Sequence, residues 1–293
     1  MFRGALTALV TPMRGGRVDD AALERLVDEQ IEAGIHGLVP CGTTGESPVL
    51  SHAEHVHVVE VVVRAARGRV PVLAGAGSNS TSEAIELARA CKELGVAGTL
   101  QITPYYNKPT QEGLIAHFTA IADQVGLPIV VYNVPSRTCC DLEPHTLAEL
   151  AKHPLVVGVK EATADMTRAA RIRELCGPEF DLLSGDDFTI MPFMALGGHG
   201  VISVGSNCAP ALFAQLCNAA HAGRWDEARE LHYRQLPLTR ALFCTTSPIA
   251  IKTAMVILGK LAPEMRLPLQ LLGEDTPEHA ELVQQLRNLE LLS

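Results

Sequence analysis

Eight short runs of β-forming residues alternate with amphipathic helical segments from the beginning of the chain, and this alternation restricts the fold more than any other feature. Strands are expected at residues 5–10, 37–40, 70–75, 98–103, 128–133, 156–160, 181–184 and 200–204. They are rich in Val, Ile, Leu and Ala without clean alternation, the pattern of parallel strands covered on both faces. Helices are expected between them at 19–33, 52–67, 81–94, 111–124, 143–151, 167–176, 190–196 and 211–220. Several open on a capping residue or Pro and close on Gly; Asn79-Ser80-Thr81 begins one and Gly95 ends it. Eight strand–helix units are the count of a (β/α)8 TIM barrel of the α/β class, expected to occupy residues 1–222. The alternative is a doubly wound sheet, which usually has fewer strands and a Gly-rich phosphate turn after the first. Here Val10-Thr11-Pro12-Met13 follows, with no GxGxxG. Residues 223–293 break the pattern. They read as four more helices, at 225–235, 237–243, 248–258 and 277–289, forming a C-terminal helical appendage packed on the barrel.

Composition narrows the class of function. With 47% hydrophobic and 19% charged residues, the chain is neither disordered, collagen-like nor coiled-coil. A formal charge of −9 argues against a nucleic-acid partner or a polybasic membrane anchor, though a pocket can still oppose that sign and take an anion. No apolar run reaches the ~18 residues of a membrane helix. Residues 5–10 are too short for a signal-peptide core, so the expected location is the cytoplasm. The eight cysteines (Cys41, Cys91, Cys139, Cys140, Cys176, Cys208, Cys217, Cys244) contain no zinc-type CxxC pair. They are expected to be ordinary, mostly buried thiols.

A barrel places its active site on the loops after the C-terminal ends of its strands, where Gly, Thr, Tyr, Arg and Lys concentrate in this chain. Lys160 ends the apolar run Val156-Val157-Gly158-Val159. Burial there disfavours an ammonium, which suits an amine attacking carbonyls; a rim lysine paired with Glu161 or Asp186 is the bland alternative. Tyr132 ends the preceding strand and can serve as a proton shuttle or as plain packing. Gly42-Thr43-Thr44-Gly45 offers hydroxyls and backbone N–H groups as a carboxylate nest, or is an ordinary turn. Arg137 suits a forked carboxylate contact or a rim salt bridge. His52 and His55 share a helix face while His57 points elsewhere, so a surface role or a regulatory ligand site is preferred to a metal. Asp186-Asp187 lacks further ligands, and no metal is expected.

Taken together, Gly42-Thr43-Thr44-Gly45-Glu46-Ser47, Thr103-Pro104-Tyr105-Tyr106-Asn107-Lys108-Pro109, Tyr132-Asn133-Val134-Pro135-Ser136-Arg137-Thr138, Val159-Lys160-Glu161-Ala162 and Leu183-Ser184-Gly185-Asp186-Asp187 resemble the dihydrodipicolinate synthase family of lysine biosynthesis. Gly197-Gly198-His199-Gly200-Val201-Ile202-Ser203 and Arg266-Leu267-Pro268 extend the likeness from Met1 into the last helices. The resemblance implies a class I aldolase barrel that condenses pyruvate with aspartate-β-semialdehyde, needs no metal or organic cofactor, and assembles as a homotetramer, a dimer of dimers. It implies an imine on Lys160, proton transfer by Tyr132, and a relay through Thr43 and the partner subunit's Tyr106. Substrate contacts would come from Thr44, Arg137, Gly185 and Ile202. L-lysine would inhibit at a site built from His52, His55, Asn79, Glu83 and Tyr105.

Two departures stand out: Cys139 replaces the family's usual Gly, where a positive φ would strain it, and Pro48 stands where small residues are common. The competing reactions on the same barrel and lysine are those of sialic acid lyase and 2-keto-3-deoxy sugar-acid aldolases. Arg137 favours a carboxylated aldehyde over their polyhydroxylated ones. A non-catalytic small-molecule sensor would have no use for Lys160, Tyr132, Tyr106 and Thr43 together.

Overall fold

The computed structural model describes residues 1–292, so the last residue of the expected 223–293 region lies outside it. All eight expected strands form, with ends shifted by at most three residues. They are β1 (Gly4–Ala8), β2 (Gly37–Val39), β3 (Leu73–Gly75), β4 (Gly98–Ile102), β5 (Ile129–Asn133), β6 (Val156–Glu161), β7 (Asp181–Ser184) and β8 (Gly200–Ser203). Every neighbour pairs in parallel, in the order β2-β1-β8-β7-β6-β5-β4-β3, and a bridge between Leu38 and Val72 draws β2 and β3 together. The result is a nearly closed (β/α)8 barrel.

These strands are covered on both faces, for a reason visible in the packing. Inside, Leu6, Val39, Leu73, Leu100, Val130, Tyr132, Leu183 and Ile202 fill the barrel, and Phe2 lies fully buried among them. Outside, the other strand residues meet the helix ring. The chain start is fixed by the Asp181 carboxylate, which accepts bonds from the Met1 ammonium (3.0 Å) and the Phe2 amide (2.6 Å).

The helix starts follow their capping residues. Asp19, Ser51, Ser80, Thr110 and Asp165 each accept a backbone N–H of the first turn. Ser51 and Glu54 form a reciprocal capping box, and Arg266 beside Glu54 holds that carboxyl down to about 2. A two-stranded hairpin, Met13–Arg14 against Arg17–Val18, was not foreseen, because two-residue strands leave no periodicity.

The C-terminal region departs from the sequence reading at one place. The expected helices 225–235 and 237–243 are one helix, Trp225–Leu242, with Pro237 inside it. An internal Pro costs about 3 kcal/mol. The buried face on either side of it (His232, Gln235, Leu238, Ala241, Leu242), packed on Pro210–His221 and Pro277–Asn288, outweighs that cost. Among the described residues no helix is long and apolar enough to cross a membrane. The eight cysteines are free thiols; five are buried, and burial pushes Cys91 and Cys208 up to about 12.

His117 is buried between helices, with Nδ1 2.9 Å from the Thr81 hydroxyl and Nε2 without a partner among the described residues. Burial lowers its pKa to about 4. The folded state therefore binds that proton less well than the unfolded chain. This group's contribution is complete above pH 6.5 and is lost as pH falls toward 4. Replacing it with a neutral residue (His117→Leu) should flatten the loss of stability between pH 6.5 and 4 by up to about 3 kcal/mol. Denaturant melts across that range check this; identical slopes in the two proteins would refute it.

Candidate active site

The register of the sheet decides which side chains meet. Tyr132 on β5 is the parallel partner of Lys160 on β6, and Lys160 in turn partners Leu183 on β7. Tyr132 and Leu183 both face the barrel interior, so Lys160 does too. Lys160 is 6% exposed and Tyr132 7%, with the lysine Nζ 4.2 Å from the centre of the tyrosine ring. A cation or a lone-pair nitrogen in that place is screened from solvent by an aromatic face.

The rim ion pair considered as an alternative for Lys160 is not formed. Glu161 faces away and accepts from Asn133 (3.1 Å) and Arg168 (3.0 Å), while Asp186 accepts from the Thr189 hydroxyl (2.7 Å). Gly185 leaves room for the lysine, since a Cβ there would come within 3.1 Å of Lys160 Cε and 2.7 Å of Ala162 Cβ.

The Gly42-Thr43-Thr44-Gly45 turn follows β2. It is closed by Gly45 N–H to Gly42 O (3.0 Å) and Glu46 N–H to Thr43 O (3.1 Å), and Thr11 donates to Gly45 O (2.7 Å). The residues bounding it, Cys41 (φ 55°) and Glu46 (φ 59°), are both left-handed. Non-glycine residues in that region cost about 1–3 kcal/mol each and persist only when surrounding structure fixes them. Thr44 is buried. Thr43 is half-buried and lines a small cavity together with Tyr132, Ile102 and Leu100.

Arg137 sits on a one-turn helix, Pro135–Thr138, whose N–H groups Arg137 and Thr138 bond back to Val134 O. The rim salt bridge that was the alternative reading of Arg137 is absent among the described residues. Its Nη2 instead donates to the main-chain carbonyl of Ser247 (3.0 Å) in the C-terminal region. Sequence reasoning missed Ser247, because a main-chain carbonyl carries no residue signal. The guanidinium faces two cavities. One, of about 240 Å³, is also lined by Thr43, Ser247 and Arg266. The other, of about 360 Å³, is also lined by Thr43, Ile102, His52, Glu83 and Tyr105.

Four of the five residues expected to form a regulatory site therefore share a cavity wall with Thr43 and Arg137: His52, His55, Glu83 and Tyr105. The Ser78 hydroxyl donates to Glu83, and His52 bonds it as well (2.7 Å); these contacts, Ser78 foremost, hold its carboxyl below the usual range. His55 is buried, which lowers its pKa, and its Nε2 is spent on Gly75 O (2.6 Å). Asn79 is tied to the tyrosine loop, donating to Tyr105 O (3.1 Å) while its own carbonyl accepts from Asn107 (2.8 Å). Tyr106 points away, 88% exposed and left-handed at φ 73°, and does not join Tyr132 within this chain. Pro48 lines both larger cavities from a short 3-10 turn, Ser47–Val49. Among the described residues no group of three or more His, Cys, Asp or Glu is arranged to hold a metal.

The chain is similar to known proteins over nearly its whole length. The profile of the dihydrodipicolinate synthetase family matches residues 1–287. A 4-hydroxy-tetrahydrodipicolinate synthase of Nitratidesulfovibrio vulgaris is 56% identical over 269 residues, 92% of both chains. The chloride-inhibited dihydrodipicolinate synthase of Acinetobacter baumannii, solved with pyruvate, superposes with a TM-score of 0.97 at 41% identity over the whole of both chains. The enzyme of Cyanidioschyzon merolae, solved with lysine bound, gives 0.95 at 39% identity over 99% of each.

Cys139 caps the Arg137 turn at φ 53°, ψ 25°, its N–H bonded to Pro135 O (2.9 Å). The Cys139 backbone is thus in the left-handed conformation that glycine adopts without strain. Cys139→Gly should raise stability by about 0.5–1 kcal/mol, the relief exceeding the added flexibility of the unfolded chain. That corresponds to a Tm higher by roughly 2 °C. A lower Tm for the variant would show that the thiol's contacts outweigh the strain.

Proposed function

The chain belongs to the dihydrodipicolinate synthetase family, and from that premise we propose that it condenses pyruvate with aspartate-β-semialdehyde to 4-hydroxy-tetrahydrodipicolinate, in lysine biosynthesis, through an imine on Lys160. The observation that carries the reading is the buried Lys160 amine 4.2 Å from the Tyr132 ring, on adjacent strands in register. The Lys160 nitrogen attacks the pyruvate carbonyl carbon and water leaves, giving the imine. Its carbon–nitrogen bond accepts the electron pair when the methyl group loses a proton, and the resulting enamine attacks the aldehyde carbon. The amino group of the lengthened chain then displaces Lys160 from the imine carbon, closing the ring and freeing the enzyme. The imine supplies the electron sink, so the reading calls for no metal or organic cofactor.

Tyr132 is the proton donor and acceptor in this scheme, with Thr43 beside it in the small cavity. Thr44 and the Ile202 region receive the pyruvate carboxylate, and Gly185 leaves the space in which the imine forms. Arg137 takes the carboxylate of the second substrate, in keeping with a guanidinium that makes one bond to a carbonyl and none to a carboxylate among the described residues. The relay is completed by the partner subunit's Tyr106 in a homotetramer built of dimers. An aromatic side chain 88% exposed on left-handed backbone supports a role outside its own barrel.

Incubation with pyruvate and borohydride should leave a covalent adduct on Lys160. Lys160→Ala should lose the adduct and fall to background turnover with an unchanged circular dichroism spectrum. Aspartate-β-semialdehyde should be used in preference to N-acetylmannosamine or glyceraldehyde. A preference for either of those polyhydroxylated aldehydes would overturn the substrate assignment in favour of a sugar-acid aldolase.

Feedback by L-lysine is the second part of the proposal, favoured by the ionised Glu83 in the wall shared with Thr43 and Arg137. Glu83 meets the ammonium of the inhibitor, His52 and Tyr105 flank it, and Asn79 holds Tyr105 in place. Because Tyr105 adjoins Tyr106, a ligand that favours one position of this loop alters the relay. Glu83→Ala should weaken inhibition by tenfold or more, about the loss of one charge-assisted contact, and leave uninhibited turnover nearly unchanged. Wild-type turnover unaffected by millimolar lysine, with no heat of binding, would return these residues to a structural role.

A further inference from the structure

Lys252 is the one lysine among the fully buried side chains, with 0% exposure in the helix Ile249–Ile257, whose other buried members are Ala250, Ile251, Thr253, Ala254 and Met255. Its ammonium pairs with Glu46 Oε1 on the far side of the sequence, and the Glu46 side chain is only 1% exposed. A buried ion pair is a poor device for stability, since desolvation takes back most of the attraction. Burial does push the Lys252 ammonium's pKa down, with Glu46 opposing the shift. What such a pair does supply is direction: it fixes two atoms relative to one another in a medium that punishes any other arrangement.

The place it fixes is specific. Glu46 directly follows Gly45, closes the Thr43-Thr44 turn, and holds the left-handed φ of 59°. Its second oxygen accepts the backbone N–H of Arg266 (3.1 Å). Arg266 in turn donates to Val49 O (2.9 Å), to Glu54 and to Gly16 O (2.9 Å). The strained end of the turn is therefore held from the C-terminal region, and Lys252 is the only charge within that region placed against Glu46 by a side-chain bond among the described residues.

We propose that Lys252 is a positioning residue for pyruvate, setting the Thr43-Thr44 turn through the Glu46 carboxylate. It touches no substrate. It acts by keeping the turn's hydroxyls and N–H groups at the place where the pyruvate carboxylate arrives, and an error of about 1 Å at such a site is costly. The proposal rests on the imine reading above.

The test compares wild type with Lys252→Met, Lys252→Arg and the doubly neutral Glu46→Gln/Lys252→Met, which leaves no buried charge unpaired. Thermal melts report folding, and the two Michaelis constants report where the damage falls. The double variant should fold and raise the pyruvate KM about threefold or more while the aspartate-β-semialdehyde KM moves less, and Lys252→Arg should recover part of the loss. A folded double variant whose pyruvate KM rises by less than about threefold overturns the proposal, because a purely structural pair would change melting alone. Should the neutral variants not fold, Glu46→Asp keeps both charges but withdraws the carboxylate by one methylene, and the same threshold on pyruvate KM decides. Absence of a borohydride-trapped pyruvate adduct in wild type would refute the imine reading instead, leaving the two failures distinguishable.

Discussion

The parallel pairing of β5 with β6 determines most of what this molecule can do. Its ladder runs Val130 to Gly158, Val131 to Val159, Tyr132 to Lys160 and Asn133 to Glu161. In a pleated sheet every second residue faces the same way, so a slip by one would exchange the two inward partners for Asn133 and Glu161. Those outward residues have a separate task. They form a polar cluster with Arg168 and Asp141 that joins the strand ends to the helix layer. One register thus satisfies two demands at once, a dry lysine inside and a paired carboxylate outside, and neither survives without the other.

Much of this was legible in the sequence because parallel barrel strands are short apolar runs bounded by turn residues, and chemistry gathers where those runs stop. Lys160, Tyr132, Thr43 and Arg137 all stand at such ends. What the sequence did not carry has one cause, contacts made at a distance. Pro237 looks like a helix break, yet tertiary burial on both sides keeps the helix whole. Lys252 carries no sign of a partner in the sequence, and only the fold brings a carboxylate 206 residues away to meet it. The carbonyl that holds Arg137 belongs to a serine whose side chain gives no hint of the contact. Likewise the cavity joining His52 and Glu83 to Thr43 has apolar walls at Leu50 and Leu87, whose residue types carry no sign of a site.

Left-handed backbone at residues other than glycine is concentrated around the upper rim: Cys41, Glu46, Tyr106, Lys108 and Cys139. Each costs free energy that its own neighbourhood does not return. Glu46 holds its conformation because something remote insists on it, the ion pair with Lys252. Arg67 and Cys139, by contrast, are left-handed because each ends a helix. Strain at the rim is a sign of how far the site depends on contacts made elsewhere.

Barrel closure also has a timetable. β1 lies between β2 and β8, with Gly4 paired to Gly200, so the strand made first waits for a partner synthesised nearly 200 residues later. At translation rates of about 5–20 residues per second, that interval is on the order of 10–40 s. The turn carrying Thr43 and Thr44 waits longer still, since Lys252 follows Gly200 in the chain. During that time one edge of β1 and the apolar interior have no cover of their own. A ribosome-bound chain of this protein therefore spends most of its synthesis as an open, sticky half-barrel, the state that cellular chaperones are built to recognise.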